Sequence, residues 1–422
     1  MSDSVVVVGA GLAGLVAARH LADGGADVTV YEQRETVGGR VRSRQQDGYT
    51  LDCGFQVLLT GYPALQRELD LDALDLRYFK PGAVIARPGQ RSVLSDPLRD
   101  PTAAFETVTN SEVSFSDKLR TLALRRDLAG RPFDSLFSRS DRSIRAYLRE
   151  WGFSERYLSN FIAPFYGGIT LDRSLSTSKR VFEYTFKALS DGKTALPADG
   201  MGAIARQLAD RAEAAGAEIV TGEAVTELSQ KRRHALVVTD DDRRAVDAVV
   251  VATQPTVAAR LTGTDEIPTD GIGCVTQYYR LDGPPLDTGK RLLLNAGDTN
   301  PNTIVPLSEV APTYAPGDSQ LLNATFLGED IFETPSEQLA ASTRETLASW
   351  YPERSFDSVE PLATDRIPFA QFAQPPGIHD SLPDVRDGGR RTYLAGEYTE
   401  WSSIQGALKS GRLAAEAVLE DC

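Results

Sequence analysis

The 422-residue chain is poor in the side chains that most often carry chemistry unaided: it has three His, three Cys and two Met. His20, His234 and His379 are scattered, and a His-based triad or His-rich metal centre would consume nearly the whole supply, so neither is expected. Cys53, Cys274 and Cys422 are odd in number and far apart, which argues against a disulfide framework and a zinc cluster. Lysine is also scarce, at eight of 45 basic residues, and 59 acidic residues bring the net charge to −14. That balance speaks against a basic nucleic-acid-binding surface. An Asp-rich, Lys-poor composition fits solubility in concentrated salt and equally a GC-biased coding sequence. No window approaches the roughly 18 uninterrupted apolar residues of a membrane span. The apolar run Val5–Val8 begins almost at once and ends in glycine, so no leader is read and the expected location is the cytoplasm.

What is present begins with that run. A chain of this length exceeds one ordinary core, so two domains with interleaved segments are expected. Val5 to Val8 reads as a buried parallel strand leading into Gly9-Ala10-Gly11-Leu12-Ala13-Gly14. A helical stripe follows (Leu12, Leu15, Val16, Ala18, Leu21) and ends at Gly24-Gly25; a second strand, Asp27 to Tyr31, closes on Glu32 and Gln33. Gly9 permits the tight turn, Gly11 a close backbone approach to a pyrophosphate, and Gly14 close packing of helix on sheet. The helix N-terminus offers amide donors to phosphates. Glu32 is placed to accept from an adenosine ribose, and a carboxylate there disfavours a 2′-phosphate. This fingerprint has its full strand–helix–strand–acid context, yet does not separate FAD from NAD.

Two further features point to FAD. Gly38-Gly39-Arg40 lets a loop fold back over a dinucleotide and brings a guanidinium toward phosphate oxygens. Near the C-terminus, a short strand ends in Gly396-Glu397, and a helix follows Ser403-Ile404. Its N-terminus is suited to face the pyrimidine edge of a flavin, and Glu397 to take a ribityl hydroxyl.

The opening VVVVGAGLAGLVAARHLADGGADVTVYEQRETVGGRVRS and the closing YLAGEYTEWSSIQGALKSGRLAAEAV resemble the signatures of the flavin amine oxidase superfamily, which includes phytoene desaturases and protoporphyrinogen oxidases. Leu51-Asp52-Cys53-Gly54-Phe55-Gln56-Val57 resembles the segment passing the flavin ring, and Leu196–Gly202 the turn returning to the FAD domain. The resemblance implies an α/β, Rossmann-type FAD-binding domain interleaved with an α+β substrate domain. The former would comprise residues 1–75, 195–262 and 380–422; the latter, 76–194 and 263–379. Gly54, Phe55 and Gln56 would then lie at the flavin, and Val225 would meet the adenine through its backbone. Within the substrate domain, Ser140 is read as the N-cap of a helix over Asp141–Trp151, Ser154 of one over Glu155–Ala163, and Ser178 of one reaching Leu189.

The expected reaction is hydride transfer from an organic substrate to flavin N5. A second dinucleotide fingerprint is absent, so oxygen, a quinone or another acceptor would take the electrons. Amine oxidases of this superfamily usually carry a Lys near N5, but Gly273–Arg280 has none; of their paired aromatics, only Trp401 lies near the closing motif. The aromatic segment Trp151–Gly168 reads first as helix packing, otherwise as the wall of an apolar tunnel or a face resting on a membrane. Ala395-Gly396-Glu397-Tyr398-Thr399 resembles the plant-type carotene desaturases. A desaturase acting on an apolar, carotenoid-like isoprenoid is therefore the first expectation, with porphyrinogen oxidation, amine oxidation and a reduced-FAD isomerase behind it. No residue is nominated as catalytic, and peripheral membrane contact stays open.

Overall fold

The computed structural model describes residues 3–96, 99–100, 112–232 and 234–421. A five-stranded, wholly parallel sheet runs in the order Glu218–Thr221, Asp27–Glu32, Ser4–Val8, Ala248–Val251, Thr392–Leu394. Its central strand pairs Val5 with Val28 on one side and Ala248 on the other. All four residues of that Val run are buried, as a strand covered on both faces requires. The helix Leu12–Asp23 covers one face, packed between Gly202–Ala214 and Ile404–Asp421. The last helix comes very close: a Cβ on Gly411 would stand 2.2 Å from Ala13 O.

A seven-stranded mixed sheet forms the second layer, in the order Glu360–Phe372, Gly271–Leu281, Gln320–Phe326, Thr303–Pro306, Leu293–Asn295, Ala83–Arg87, Gln90–Leu94. Helices Phe115–Ala129, Ile144–Glu150 and Lys179–Asp191 belong to the helical part beside it.

Two of the predicted caps stand. Ser154 Oγ accepts from Tyr157 N and Ser178 Oγ from Arg180 N, both at helix starts. The third does not: Ser143, not Ser140, caps the next helix, accepting from Ala146 N at 3.2 Å. Asp141 lies outside that helix because its carboxylate is engaged by Ser178 Oγ and Gly377 N, both at 2.8 Å.

The helix expected to end at Ala163 runs on to Thr170. Residues Leu158–Ile162 widen into a π turn in which Ala163 N donates to Leu158 O, five residues back. The ladder shifts just before Pro164, so the missing proline donor does not break it.

Candidate active site

Three glycines at the sheet's central edge do three different things. Gly9 has φ +102 in the turn that leaves the first strand, and a Cβ there would meet Ala252 O at 2.9 Å. A Cβ on Gly14 would lie 1.9 Å from Gly9 O, so only glycine lets helix and turn approach this closely. A Cβ on Gly11 would meet nothing within 4 Å; it would project into open space in front of the helix N-terminus.

Around that space the chain closes from several directions. Gly38, φ +113, donates its N–H to Ala10 O, and Gly39 brings its Cβ position within 3.3 Å of Gly11 Cα. The buried Glu32 carboxylate accepts from Ala10 N at 2.9 Å and from Arg34 N at 3.0 Å, tying both turns of the loop to the end of the second strand. Arg40 lines the space and is also held by protein partners. Its guanidinium donates to Ala370 O at 2.9 Å and pairs with Glu397. Gln56 Nε2 donates to Arg40 O at 3.1 Å, linking the Gly54–Gln56 segment to the same loop. Ser403 Oγ accepts from Gly406 N at 2.8 Å and so caps the last helix, with Ile404 beside it.

One continuous cavity of about 1090 Å³ joins these groups. Gly9, Gly11, Leu12, Ala13, Glu32, Gln33, Gly38, Gly39, Arg40, Gly54, Phe55, Gln56, Val225, Gly396, Glu397, Ser403 and Ile404 all line it. Gly14 does not; it lies behind, in the helix–turn contact. Thr253, Gln254 and Arg260 join Val225 at one end, positions that carried no sequence signal because single polar residues after a strand are commonplace.

The same cavity continues into a second, apolar arm. Here Phe153, just before the cap at Ser154, and Tyr157, Phe161 and Phe165 on the helical run that follows, all spaced four apart, stack in series at 5.1, 5.6 and 5.4 Å with interplanar angles of 19–25°. Tyr157, Phe161, Phe165 and Tyr166 line the arm. The segment expected first as packing is therefore both: Phe153, Tyr157 and Tyr166 are buried, and three rungs of the ladder face the cavity. It does not lie on the outside as a membrane-resting face.

Two positions near the closing motif and in the strand Gly271–Leu281 are placed by the structure. Trp401 does not face the cavity; it is buried against Tyr62, Phe137 and Tyr184 at 6.0, 5.9 and 4.9 Å. Within Gly273–Arg280 the lining residue is Cys274, whereas Thr276 and Gln277 are fully buried, with Gln277 Nε2 held by Ser336 O and Thr364 Oγ1. Burial pushes the Cys274 thiol up to about 12, so it is no thiolate nucleophile at neutral pH. Among the described lining residues the acids are Glu32, Glu397 and Asp96, and none is His. Lysine does enter the lining, as Lys80, Lys118 and Lys193; Lys187 instead pairs with Asp191 at 2.9 Å.

Beneath the Gly54 loop, Asp52 is buried, with Ser43 Oγ, Met201 N and Tyr314 OH donating to it. Desolvation outweighs these hydrogen bonds and raises its pKa from 3.8 to about 6.

A parallel sheet turning through glycines into a helix, with a large apolar arm continuous with that turn, is the architecture of a dinucleotide-dependent oxidoreductase. The chain belongs to the flavin containing amine oxidoreductase family, whose model matches residues 12–419; it is an FAD-dependent oxidoreductase. It is 30% identical to a phytoene dehydrogenase of Streptomyces griseus over 62% of this chain, a match spanning 56% of that protein's length. It is 25% identical to a probable zeta-carotene desaturase of Synechococcus elongatus over 99% of this chain and 98% of the relative. The same fold occurs in the crystal structure of a putative protoporphyrinogen oxidase from an Exiguobacterium species, with TM-score 0.74, 16% identity and full coverage of both chains.

Proposed function

We propose that the chain desaturates a long apolar isoprenoid of carotenoid type, held in the aromatic arm. The observation that carries this is the ladder Tyr157–Phe161–Phe165 lining the cavity with ring spacings of 5.6 and 5.4 Å. The stacked rings present a continuous apolar wall that suits an extended polyene and offers a cationic amine no carboxylate.

We assign residues 1–75, 195–262 and 380–422 to the FAD domain and the remainder to the substrate domain. The residues present fit the cofactor. Gly11 leaves open space where a side chain would fill the cradle, and the helix N-terminus turns its amides toward it. Glu32 and Val225 would hold the adenosine end, the Gly38–Arg40 loop the pyrophosphate, and Glu397, Ser403 and Gly54–Gln56 the ribityl and ring end. FAD when bound supplies the hydride acceptor, and each desaturation removes one hydride and one proton from the substrate. Arg40 and Glu397 neutralise each other across the cleft, so neither enters a dry site as a lone charge. The apolar arm orients the substrate and excludes water. Oxygen, a quinone or another carrier reoxidises the enzyme, and the substrate arrives from a lipid phase.

Purified protein should be yellow and release FAD, not FMN, on denaturation. Anaerobic bleaching of the bound flavin by detergent-dispersed carotenes, with benzylamine and spermine inert, is the expected outcome. Rapid bleaching by the amines with carotenes inert would reverse the assignment. A product of unchanged mass would make the enzyme a reduced-FAD isomerase.

A further inference from the structure

Gln374 is 4% exposed and does not border the cavity, yet its side chain ties together three segments around it. It follows the long strand Glu360–Phe372 and precedes Pro375-Pro376, and the first of those prolines disfavours a helical backbone at Gln374. The main chain is pinned here too: Ala373 N donates to Asp270 O and Ser178 N to Gln374 O, both at 2.8 Å. Gly377, φ +90, then turns the chain so that His379 comes back to the same side-chain amide.

That amide can stand only one way round. Ser402 N donates to its Oε1 at 3.0 Å, and an NH2 group in that place would set donor against donor. His379 Nε2 lies 3.3 Å from the same oxygen and therefore carries the ring proton. Burial lowers the His379 pKa to about 4, so the ring is neutral at pH 7; its Nδ1 is buried with no hydrogen-bond partner among the described residues. Gln374 Nε2 donates to Gln371 Oε1 at 3.4 Å, and Gln371 Nε2 donates to Ile169 O at 3.1 Å. Ile169 belongs to the helix Ala163–Thr170, which carries Phe165, the last rung of the aromatic ladder. Ser402 precedes Ser403, the cap of the last helix. Ile169, Gln371, Ser402, Ser403 and Ile404 all line the cavity. One buried amide thus joins the wall of the apolar arm to the loop in front of the last helix.

We propose that Gln374 is a positioning residue for flavin reduction: by holding Ser402 N it aims the start of the last helix at the flavin ring. This role rests on the placement of the ring end of FAD at Ser403 proposed above. The first amides of a helix have no partner within it and carry the positive end of its dipole. Aimed at the ring, they favour its anionic reduced form and raise the reduction potential. A loop released from Gln374 loses that alignment.

The test is the reduction potential of the bound flavin, read by anaerobic equilibration of the FAD-loaded protein with a reference dye. Gln374→Met keeps the length of the side chain and removes the acceptor. It should retain FAD and shift the ratio of reduced to oxidised flavin about tenfold toward the oxidised form, which is about 30 mV for a two-electron couple. Gln374→Asn, one methylene shorter and unable to reach Ser402 N, should shift it in the same direction and is decisive if the methionine variant does not hold FAD. An unchanged potential, with or without a lower melting temperature, would leave Gln374 a packing residue and overturn the proposal. Ser403→Ala, which removes the cap of the last helix, separates this role from the placement of the ring. If it lowers the potential and the Gln374 variants do not, the proposed role alone fails. If none of the three variants moves the potential, the ring lies elsewhere and the role falls with that placement.

Discussion

Glu32 holds two backbone amides from one buried carboxylate, Ala10 N and Arg34 N, and so shapes the loop as well as facing the cavity. In Glu32→Arg both acceptors vanish and a cation appears beside the adenosine end. A charged hydrogen bond is worth about 1.5–3 kcal/mol, so FAD affinity should fall tenfold to a hundredfold in a titration of apoprotein. Undiminished FAD retention would mean that the loop keeps its shape without this anchor. Asp52 gives a second prediction at the same scale. Its folded pKa of about 6 lies above the ordinary 3.8, so its contribution to stability is complete below pH 3.8 and lost as pH rises through 6. His379 runs the other way: burial lowers it from 6.5 to about 4, so its contribution is present above pH 6.5 and lost as pH falls through 4. Each is on the order of 3 kcal/mol. Asp52→Asn keeps an oxygen for Ser43 and Met201 and removes the charge. Its melting temperature should exceed that of wild type at pH 7–8 and converge with it near pH 4. Equal melting curves across that range would show that Asp52 ionises without cost.

At the scale of elements, two helices around the cavity read differently in the sequence for a physical reason. The 155–170 run carries aromatics at four-residue spacing, which is visible as a pattern, although spacing cannot say whether a ring faces core or cavity. The 115–129 helix has no single apolar stripe, because Leu124 and Leu128 face inward while Phe115, Leu119 and Leu122 face outward. Apolar residues on opposite faces cancel the periodic signal. The ladder makes a kinetic prediction. Phe161→Ala removes the middle rung and both of its stacked contacts, each worth about 0.5–1.5 kcal/mol. KM for a carotene should rise about tenfold, as expected for loss of roughly 1.4 kcal/mol of binding, with FAD content unchanged. An unaltered KM would place the substrate away from the ladder.

For the whole molecule, the net charge of −14 is the dominant long-range term. Self-repulsion opposes compaction, and salt screens it over a Debye length of about 10 Å at 0.1 M and about 3 Å at 1 M. The melting temperature should therefore rise steadily as KCl is added up to the molar range. A melting temperature that is flat or falls with salt would show that the acidic residues are too dispersed to repel one another appreciably.

The glycine loop, Glu32, the Gly38–Arg40 turn and the closing Gly396–Ile404 segment were legible because each is a local device. A turn, a close approach or a helix start is encoded within a few neighbouring residues. The same holds for the buried strand at Val5–Val8 and for the caps at Ser154 and Ser178. What only the tertiary structure decided depends on groups hundreds of residues apart in the chain. Arg40 meets Glu397 and Ala370, Trp401 turns away into an aromatic cluster, and Cys274 rather than Thr276 faces the cavity. Local spacing determines which face of an element a side chain occupies; which space that face borders is determined by the packing of the other elements, and no short window of sequence contains it.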